Sequence, residues 1–288
     1  MLSSFFSAQH LVNSERTHMT RTFKRIPTFL LILLFIAPGI VQGEDTNREK
    51  TSTRTKAILD DLQRGQWLNK KFVTTLQKTK SPRLAGLNIR QSGFRVLKED
   101  DQYPVQVIWN FHEAGIGFTI VGAKYVKHND SYELRTSPQS EYSSEQENDV
   151  VYYPATDEIS WKFTDHGKRF ELSFVRVQHD IDRYINKKVL AGEYVDSTGR
   201  IFNFSENGIA TWPDKTIEYK ICVDYIPRID EITCDCFSNT VIENHKVKSH
   251  TTWDFSIDKN RLLVYEPIQP DEYCSKKILY TLKRRTKN

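Results

Sequence analysis

LAGEYVDSTGRIFNFSENGIATWPDKTIEYKICVDY, residues 190–225, consists of short apolar-alternating runs separated by turn clusters, and this pattern decides the fold class. In the last run, Ile217, Tyr219 and Ile221 occupy every second place, with Glu218 and Lys220 between them. A period of two is typical of a strand with one buried and one solvated face. The dipeptide at 207–208, Asn-Gly, indicates a hairpin turn because glycine accepts positive φ without a Cβ clash. The stretch therefore predicts an antiparallel meander.

Similar runs recur on both sides of this stretch. About a dozen short strands separated by turns are expected between residues 94 and 282. An open meander would leave unpaired edges, which closure into a barrel removes. We therefore predict an all-β protein whose antiparallel meander closes into a β-barrel. Two tandem small barrels or half-barrels are the alternative.

The N-terminal segment, residues 1–43, has the features of a secretory signal peptide. Arg21, Lys24 and Arg25 precede the apolar run FLLILLFIA at 29–37, and small residues at 41–43 close the segment. The run is shorter than the roughly 20 apolar residues that span a bilayer. A start at Met19 would leave a more compact signal. We expect export to the periplasm, the cell envelope or the medium, with no transmembrane segment after cleavage; an uncleaved membrane anchor is the alternative.

The expected domains follow from these boundaries. Residues 44–80 form a polar and helical lead-in, and residues 81–288 form one β-barrel domain. A split near residue 180, into 81–180 and 181–288, is the alternative. It is supported by a short internal echo, since WLNKK at 67–71 resembles YINKK at 184–188.

The lead-in contains one amphipathic helix by its spacing. Leu68, Phe72 and Leu76 are four residues apart and share a helical face, and Ser81-Pro82 ends the helix. Such a helix caps the end of a barrel or packs on the outside of a sheet, and the sequence leaves both arrangements open.

Charge argues against a nucleic-acid partner. The chain carries 41 basic and 37 acidic side chains, and residues 1–43 hold four and one of them, so the remainder has a net charge of +1. Phosphate backbones are bound by clustered Lys and Arg. We therefore expect no nucleic acid among the partners.

The four cysteines lie in the C-terminal third and are expected to form two disulfides, because their number is even and the chain is expected to be exported. Cys234 and Cys236 are unsuited to each other, being two places apart in a strand. Cys222 with one of them and Cys274 with the other is the expected arrangement.

A zinc site is the competing hypothesis for the cysteines. Cys234, Cys236, His245 and His250 form a Cys₂His₂ set in sequence, but only one residue separates the thiols, whereas zinc sites usually have two to four. We therefore predict no metal and no cofactor. Since no nucleophile elbow or phosphate-binding glycine loop is present either, the sequence favours a non-enzymatic protein.

Residues 189–225 resemble the opening of lipocalin-like domains, in which a short turn leads to Gly-x-Trp on the first strand. Here VLAGEY at 189–194 places Tyr194 at the tryptophan position. The resemblance implies an antiparallel barrel that holds a small apolar or amphipathic molecule. Binding of such a ligand or lipid is thus the predicted function, through four aromatic residues expected to point inward: Tyr194, Phe204, Trp212 and Tyr219. The alternative is a structural or interaction protein of the envelope, with a packed barrel and a partner site on the loop at 136–148.

Overall fold

A computed structural model of the chain describes residues 45–87, 89, 91–99, 102–108, 111, 114–138, 148–165, 167–178, 180–223, 234–243, 246–267 and 274–285. The predicted signal segment, His245 and most of the loop at 136–148 lie outside these residues. None of the helices in the described ranges combines the length and apolar character that crossing a bilayer requires.

Two closed antiparallel barrels of eight strands each follow one another along the chain. The strands of the first barrel are β1 (Gln66–Asn69), β2 (Gly93–Val96), β3 (Tyr103–Ile108), β4 (Ala114–Val126), β5 (Ser131–Pro138), β6 (Asp149–Tyr153), β7 (Glu158–Asp165) and β8 (Lys168–Val177). Each strand pairs with its neighbours in sequence, and β8 returns to pair with β1. The predicted all-β barrel architecture is confirmed, and it takes the alternative arrangement of two tandem barrels rather than one.

The second barrel repeats this up-and-down order. Its strands are β9 (Gly192–Val195), β10 (Ile201–Phe204), β11 (Ile209–Thr211), β12 (Thr216–Ile221), β13 (Asp235–Glu243), β14 (Lys246–Asp258), β15 (Arg261–Pro267) and β16 (Ile278–Arg284). β16 closes it against β9. The alternation predicted for Ile217, Tyr219 and Ile221 is confirmed, since all three are buried while their neighbours on β12 are exposed. Gly208 has a φ of 81° in the turn before β11, as the hairpin requires.

In the described residues, four α-helices and one short 3₁₀ helix accompany the barrels. They are α1 (Asp45–Leu62), α2 (Lys70–Thr79), α3 (Pro82–Gly86), the 3₁₀ helix (Lys127–Asn129) and α4 (Ile181–Val189). α1 packs on the first barrel, burying Leu59 and Leu62 in its core. α4 leads directly into β9 and packs against β12. We call the end of the second barrel beside α4 the α4 end, and the opposite end the far end.

The predicted helix at Leu68–Leu76 begins later than its spacing suggested. Leu68 lies on β1, because the Asn69 side chain caps α2 by accepting a hydrogen bond from Lys71 N at 2.9 Å. Ser81 caps α3 in the same way through Leu84 N, at 3.1 Å. The predicted apolar face with a spacing of four residues is confirmed on α2, since Phe72 and Leu76 are both buried there.

The helices α2 and α3 lie between β1 and β2 of the first barrel, but they contribute to the core of the second barrel. Phe72 and Leu76 belong to the same apolar cluster as the interior of the second barrel. On α3, Arg83 N donates a hydrogen bond to Asp235 Oδ1 on β13, at 2.8 Å. The first barrel has its own separate apolar cluster. The two barrels are thus joined by an apolar helical layer that includes α4.

Candidate ligand-binding site

The four aromatic residues predicted to bind ligand all lie inside the second barrel. Tyr194, Phe204, Trp212 and Tyr219 are 1–4% exposed. The Phe204 ring is at the centre of the group, with ring centroids 5.7 Å from Tyr194, 6.5 Å from Trp212 and 5.5 Å from Tyr219. The structure therefore brings the four side chains together, from the α4 end to the far end.

The hydroxyl groups of the two tyrosines in this group form hydrogen bonds at the α4 end. Tyr194 OH donates to Leu190 O at 2.9 Å, and Tyr219 OH donates to Ser205 O at 2.6 Å. Burial raises the pKa of Tyr194, although the neighbouring Arg284 guanidinium offsets part of the rise. Burial also raises the pKa of Tyr219. Both phenol groups are therefore neutral, and each already donates its hydrogen to a backbone carbonyl oxygen.

Trp212 lies at the far end, in the four-residue turn that joins β11 to β12. The turn is closed by a hydrogen bond from Trp212 N to Lys215 O, at 2.7 Å. The Trp212 ring packs against three further aromatic rings, at centroid distances of 5.2 to 5.5 Å: those of Phe202, Trp253 and Tyr280. The site therefore extends to residues that the sequence-based prediction missed.

Trp253 is the most important of the missed residues. It lies on β14, where Trp253 and Phe255 are two places apart and both buried. That alternation was a usable signal for an inward position. Its proximity to Trp212 depends on the order of strands around the barrel, which local sequence does not reveal.

The hydrogen-bonding state of the indole groups distinguishes the two barrels. In the first barrel, Trp67 Nε1 donates to Leu62 O at 3.0 Å and Trp161 Nε1 donates to Asn148 Oδ1 at 2.9 Å. In the second barrel, the buried Nε1 atoms of Trp212 and Trp253 find no acceptor among the described residues. Leaving a buried donor unpaired costs about 1–3 kcal/mol. Trp109, the fifth tryptophan, lies outside the described residues.

A positively charged side chain, that of Lys215, lies beside the two indole rings of the second barrel. Lys215 Nζ lies 5.0 Å from the centroid of the Trp212 ring and 5.7 Å from that of Trp253. Lys215 itself is exposed to solvent in the turn. Among the described residues, the far end of the second barrel thus combines apolar rings, two N–H donors that lack an acceptor and the Lys215 ammonium group.

Both barrels begin with the same three-part corner, formed by a glycine, an aromatic residue two places later and an arginine on the last strand. In the first barrel Trp67 is the register partner of Arg176, whose guanidinium carbon lies 4.7 Å from the ring centroid. In the second, Tyr194 is the register partner of Arg284, at 5.7 Å. The glycines are Gly65 and Gly192. This corner relates the two barrels as repeats of one plan.

The true internal correspondence therefore differs from the predicted echo. WLNKK at 67–71 spans the end of β1 and the start of α2, whereas YINKK at 184–188 lies within α4. The equivalent segments are GQW at 65–67 and GEY at 192–194. The first of these has the Gly-x-Trp pattern in full, whereas the second has Tyr194 at the tryptophan position.

The cysteines form two disulfides, Cys222–Cys236 and Cys234–Cys274. This confirms the expected arrangement and selects one of its two pairings. The sulfur atoms of the hypothetical zinc set are thereby bonded to other sulfurs, and no described cysteine is free. Asp254 lies near the second disulfide, fully buried, and accepts a hydrogen bond from Ser275 N.

Two surface cavities beside α4 are weaker candidates. They have volumes of about 250 and 520 Å³, and both are lined by Asp180, Asp182 and Lys220. Lys220 Nζ pairs with Asp182 at 2.9 Å, and in the larger cavity Glu206 pairs with Arg183. These charges are already neutralised by one another, so the cavities are less suited to a ligand than the far end.

Comparison of the chain with protein families, with curated proteins and with solved structures found no match. The candidate site therefore rests on its own geometry.

Proposed function

We propose that this chain is an exported binding protein of lipocalin-like architecture whose second barrel takes a small amphipathic ligand at its far end. The ligand has an apolar body, which packs among the aromatic rings, and a hydrogen-bond acceptor, which receives the indole N–H groups of Trp212 and Trp253. The first barrel has a structural role. The resemblance of residues 189–225 to lipocalin-like domains supports the same function.

The single observation that carries this proposal is the contrast between the paired indoles of the first barrel and the unpaired indoles of the second. Buried donors are nearly always satisfied in native proteins, so two unsatisfied donors in adjacent rings need an explanation. The ring centroids of Trp212 and Trp253 are 5.3 Å apart. A carbonyl or carboxylate brought by a ligand would satisfy them and recover part of the cost.

Entry of the ligand requires space among packed rings. Trp212 belongs to a turn, so rotation of its side chain would open the barrel without breaking any hydrogen bond between strands. Trp253 is held by β14 and remains in place.

Export is supported by two independent features. The apolar run at 29–37 has signal-peptide character, and disulfides persist in oxidising compartments. A periplasmic, envelope or extracellular location is proposed on that basis.

Calorimetric titration of the full mature chain with laurate tests the proposal. Trp212→Phe and Trp253→Phe keep a ring but remove a donor, and each is expected to weaken binding about tenfold. Trp161→Phe removes a donor that already has an acceptor, and it should leave the affinity unchanged. Equal affinities in all three variants, or no binding of laurate, methyl laurate or laurylamine, would overturn the proposal.

A packed interaction protein is the second candidate, and one observation favours it. The first barrel is filled by aromatic rings in mutual contact, including Phe94 with Phe174 at 4.9 Å and Trp161 with Phe163 at 4.6 Å. If both barrels serve only as scaffolds, deletion of residues 139–147 should abolish partner capture without lowering the Tm. Capture unchanged by the deletion would remove this candidate.

A further inference from the structure

Basic side chains are unevenly distributed along residues 44–288, whose net charge is only +1. Residues 66–98 contain eight basic and no acidic side chains, and residues 275–285 contain five basic and no acidic ones. The first range includes α2 and α3, and the second includes β16. Segregated charge on a nearly neutral chain is a feature of proteins that meet a charged partner surface.

Three of these cations come together where α2, α4 and β16 end. Lys80 caps the C-terminus of α2, Lys188 lies in the last turn of α4, and Arg284 is the final residue of β16. The two helices are joined one turn earlier by a hydrogen bond from Gln77 Nε2 to Tyr184 OH, at 3.3 Å. Arg284 donates a hydrogen bond to the backbone just beyond α4. We call the three cationic side chains the basic face.

The charge of the basic face is not compensated by carboxylates. None of its three cations forms an ion pair among the described residues, whereas Lys187 and Arg285, next to two of them in sequence, both do. Burial lowers the pKa of Lys80, and the charges of Lys188 and Arg284 lower it further. These like charges therefore repel one another, and an anionic partner would relieve the repulsion.

Helix termini explain only part of this arrangement. A lysine near the C-terminus of a helix interacts favourably with the helix dipole, which accounts for a cation at Lys80 and at Lys188. Arg284 lies on a strand and adds a third charge at the same place. All three side chains are partly or fully exposed, so a partner can reach them.

We infer that the basic face binds the surface of an anionic lipid bilayer. The expected export route brings the chain to a membrane and away from nucleic acid. Leu84, one turn beyond Lys80, is 39% exposed and supplies an apolar side chain in the same basic segment, a combination typical of interfacial membrane contacts. This surface lies outside the barrel, so the inference goes beyond the proposed ligand site and does not depend on it.

The expected binding has a defined size and salt dependence. Each lysine or arginine close to an anionic lipid surface strengthens binding about fivefold. Loss of two lysines from the basic face should therefore weaken binding about 25-fold if their effects add. Because salt screens charges over about 10 Å at 0.1 M, binding should decline as the ionic strength rises.

The test is cosedimentation of the full mature chain with vesicles of phosphatidylcholine mixed with phosphatidylglycerol, and with vesicles of phosphatidylcholine alone. The natural protein should bind only the mixed vesicles. Lys80→Gln/Lys188→Gln should lower this binding about 25-fold, and Lys80→Arg/Lys188→Arg should retain it. Leu84→Ser, which keeps every charge, should also lower it.

The matched control removes the same amount of charge from the first barrel. Lys124 and Lys162 are exposed there and pair with Glu133 and Glu171. Lys124→Gln/Lys162→Gln lowers the net charge of the chain by the same two units, and it should leave vesicle binding unchanged. The Tm of each variant shows whether the fold is retained.

The outcomes that would overturn the inference are distinct from those that concern the ligand site. Equal binding to both kinds of vesicle, equal losses in the two glutamine double variants or no vesicle binding would contradict a membrane contact at the basic face. Full vesicle binding by Leu84→Ser, together with capture of soluble polyphosphate, would contradict the bilayer as partner. None of these results affects laurate binding by the second barrel.

Discussion

Gly65 and Gly192 each allow an arginine to approach the first strand of their barrel closely. A Cβ at Gly65 would lie 2.7 Å from the carbonyl oxygen of Val177, and one at Gly192 would lie 2.9 Å from Nη2 of Arg284. Both glycines also have positive φ, 93° and 150°. The corner therefore requires glycine for two reasons, backbone conformation and lack of space.

Substitution of Gly65 separates these two reasons. Gly65→Ala is expected to lower the free energy of unfolding by about 2–4 kcal/mol, because it adds a steric clash to the cost of positive φ. Gly167 has a φ of 73°, and a Cβ added there would meet no atom within 4 Å. Gly167→Ala should therefore lose only the conformational part, about 1 kcal/mol. Urea unfolding of both variants measures the difference, and equal losses would show that space at the corner is not limiting.

At the scale of single elements, the turn between β9 and β10 is organised by one carboxylate. Asp196 Oδ1 accepts hydrogen bonds from Thr198 N at 2.9 Å and Arg200 N at 3.0 Å, and Oδ2 accepts from Arg200 Nε at 2.7 Å. Burial acts to raise the pKa of Asp196, but these hydrogen bonds from Thr198 and Arg200 outweigh it and lower the pKa from 3.8 to about 2. The ionised form of the Asp196 carboxyl group therefore stabilises the turn.

This lowered pKa predicts a defined pH dependence. A carboxylate with a depressed pKa stabilises the fold above its unfolded value of 3.8, and that contribution is lost as pH falls through about 2. Asp196→Asn should therefore have a lower Tm than the natural protein at neutral pH, with the gap closing below pH 3.8. Asp214→Asn, in the exposed turn between β11 and β12, is the control. A gap that stays constant down to about pH 2 would contradict this assignment.

The two disulfides constrain the second barrel to different degrees. Cys222–Cys236 spans 14 residues and links neighbouring strands that are also joined by a hydrogen bond from Cys222 N to Cys236 O, at 2.8 Å. Cys234–Cys274 spans 40 residues and ties the segment before β16 to the start of β13. The second bond therefore restrains more of the unfolded chain.

Paired serine variants should reproduce this order. In the chain-entropy description, loss of Cys222–Cys236 costs about 3 kcal/mol and loss of Cys234–Cys274 about 4 kcal/mol. Denaturant unfolding of Cys222→Ser/Cys236→Ser and Cys234→Ser/Cys274→Ser measures both. A larger loss for the first pair would contradict the ordering by loop length.

At the scale of the whole molecule, local pattern predicted the strands but left open whether they close into one barrel or two. Alternation at Ile217–Ile221 depends on neighbouring residues only, and it was predictable. Closure depends on pairing between β1 and β8, which are about a hundred residues apart and have no shared local signal. The long β4 and β14 strands, each 13 residues, likewise give no sign in sequence of the barrel to which they belong.

The candidate site was predictable in the same partial way. Tyr194, Phe204, Trp212 and Tyr219 lie within one meander, so their common interior followed from alternation. Trp253 joins them only through the closure of the barrel. The unpaired state of its indole N–H is a property of the folded interior and could not be predicted from any spacing.

The most direct test of ligand binding at the far end is a nuclear magnetic resonance titration of the indole N–H groups with laurate. Single tryptophan-to-phenylalanine variants assign the signals. We predict that the Trp212 and Trp253 signals move downfield and exchange more slowly with solvent, while those of Trp67 and Trp161 stay unchanged. Shifts confined to Trp67 and Trp161, or no shift at saturating laurate, would contradict a ligand site in the second barrel.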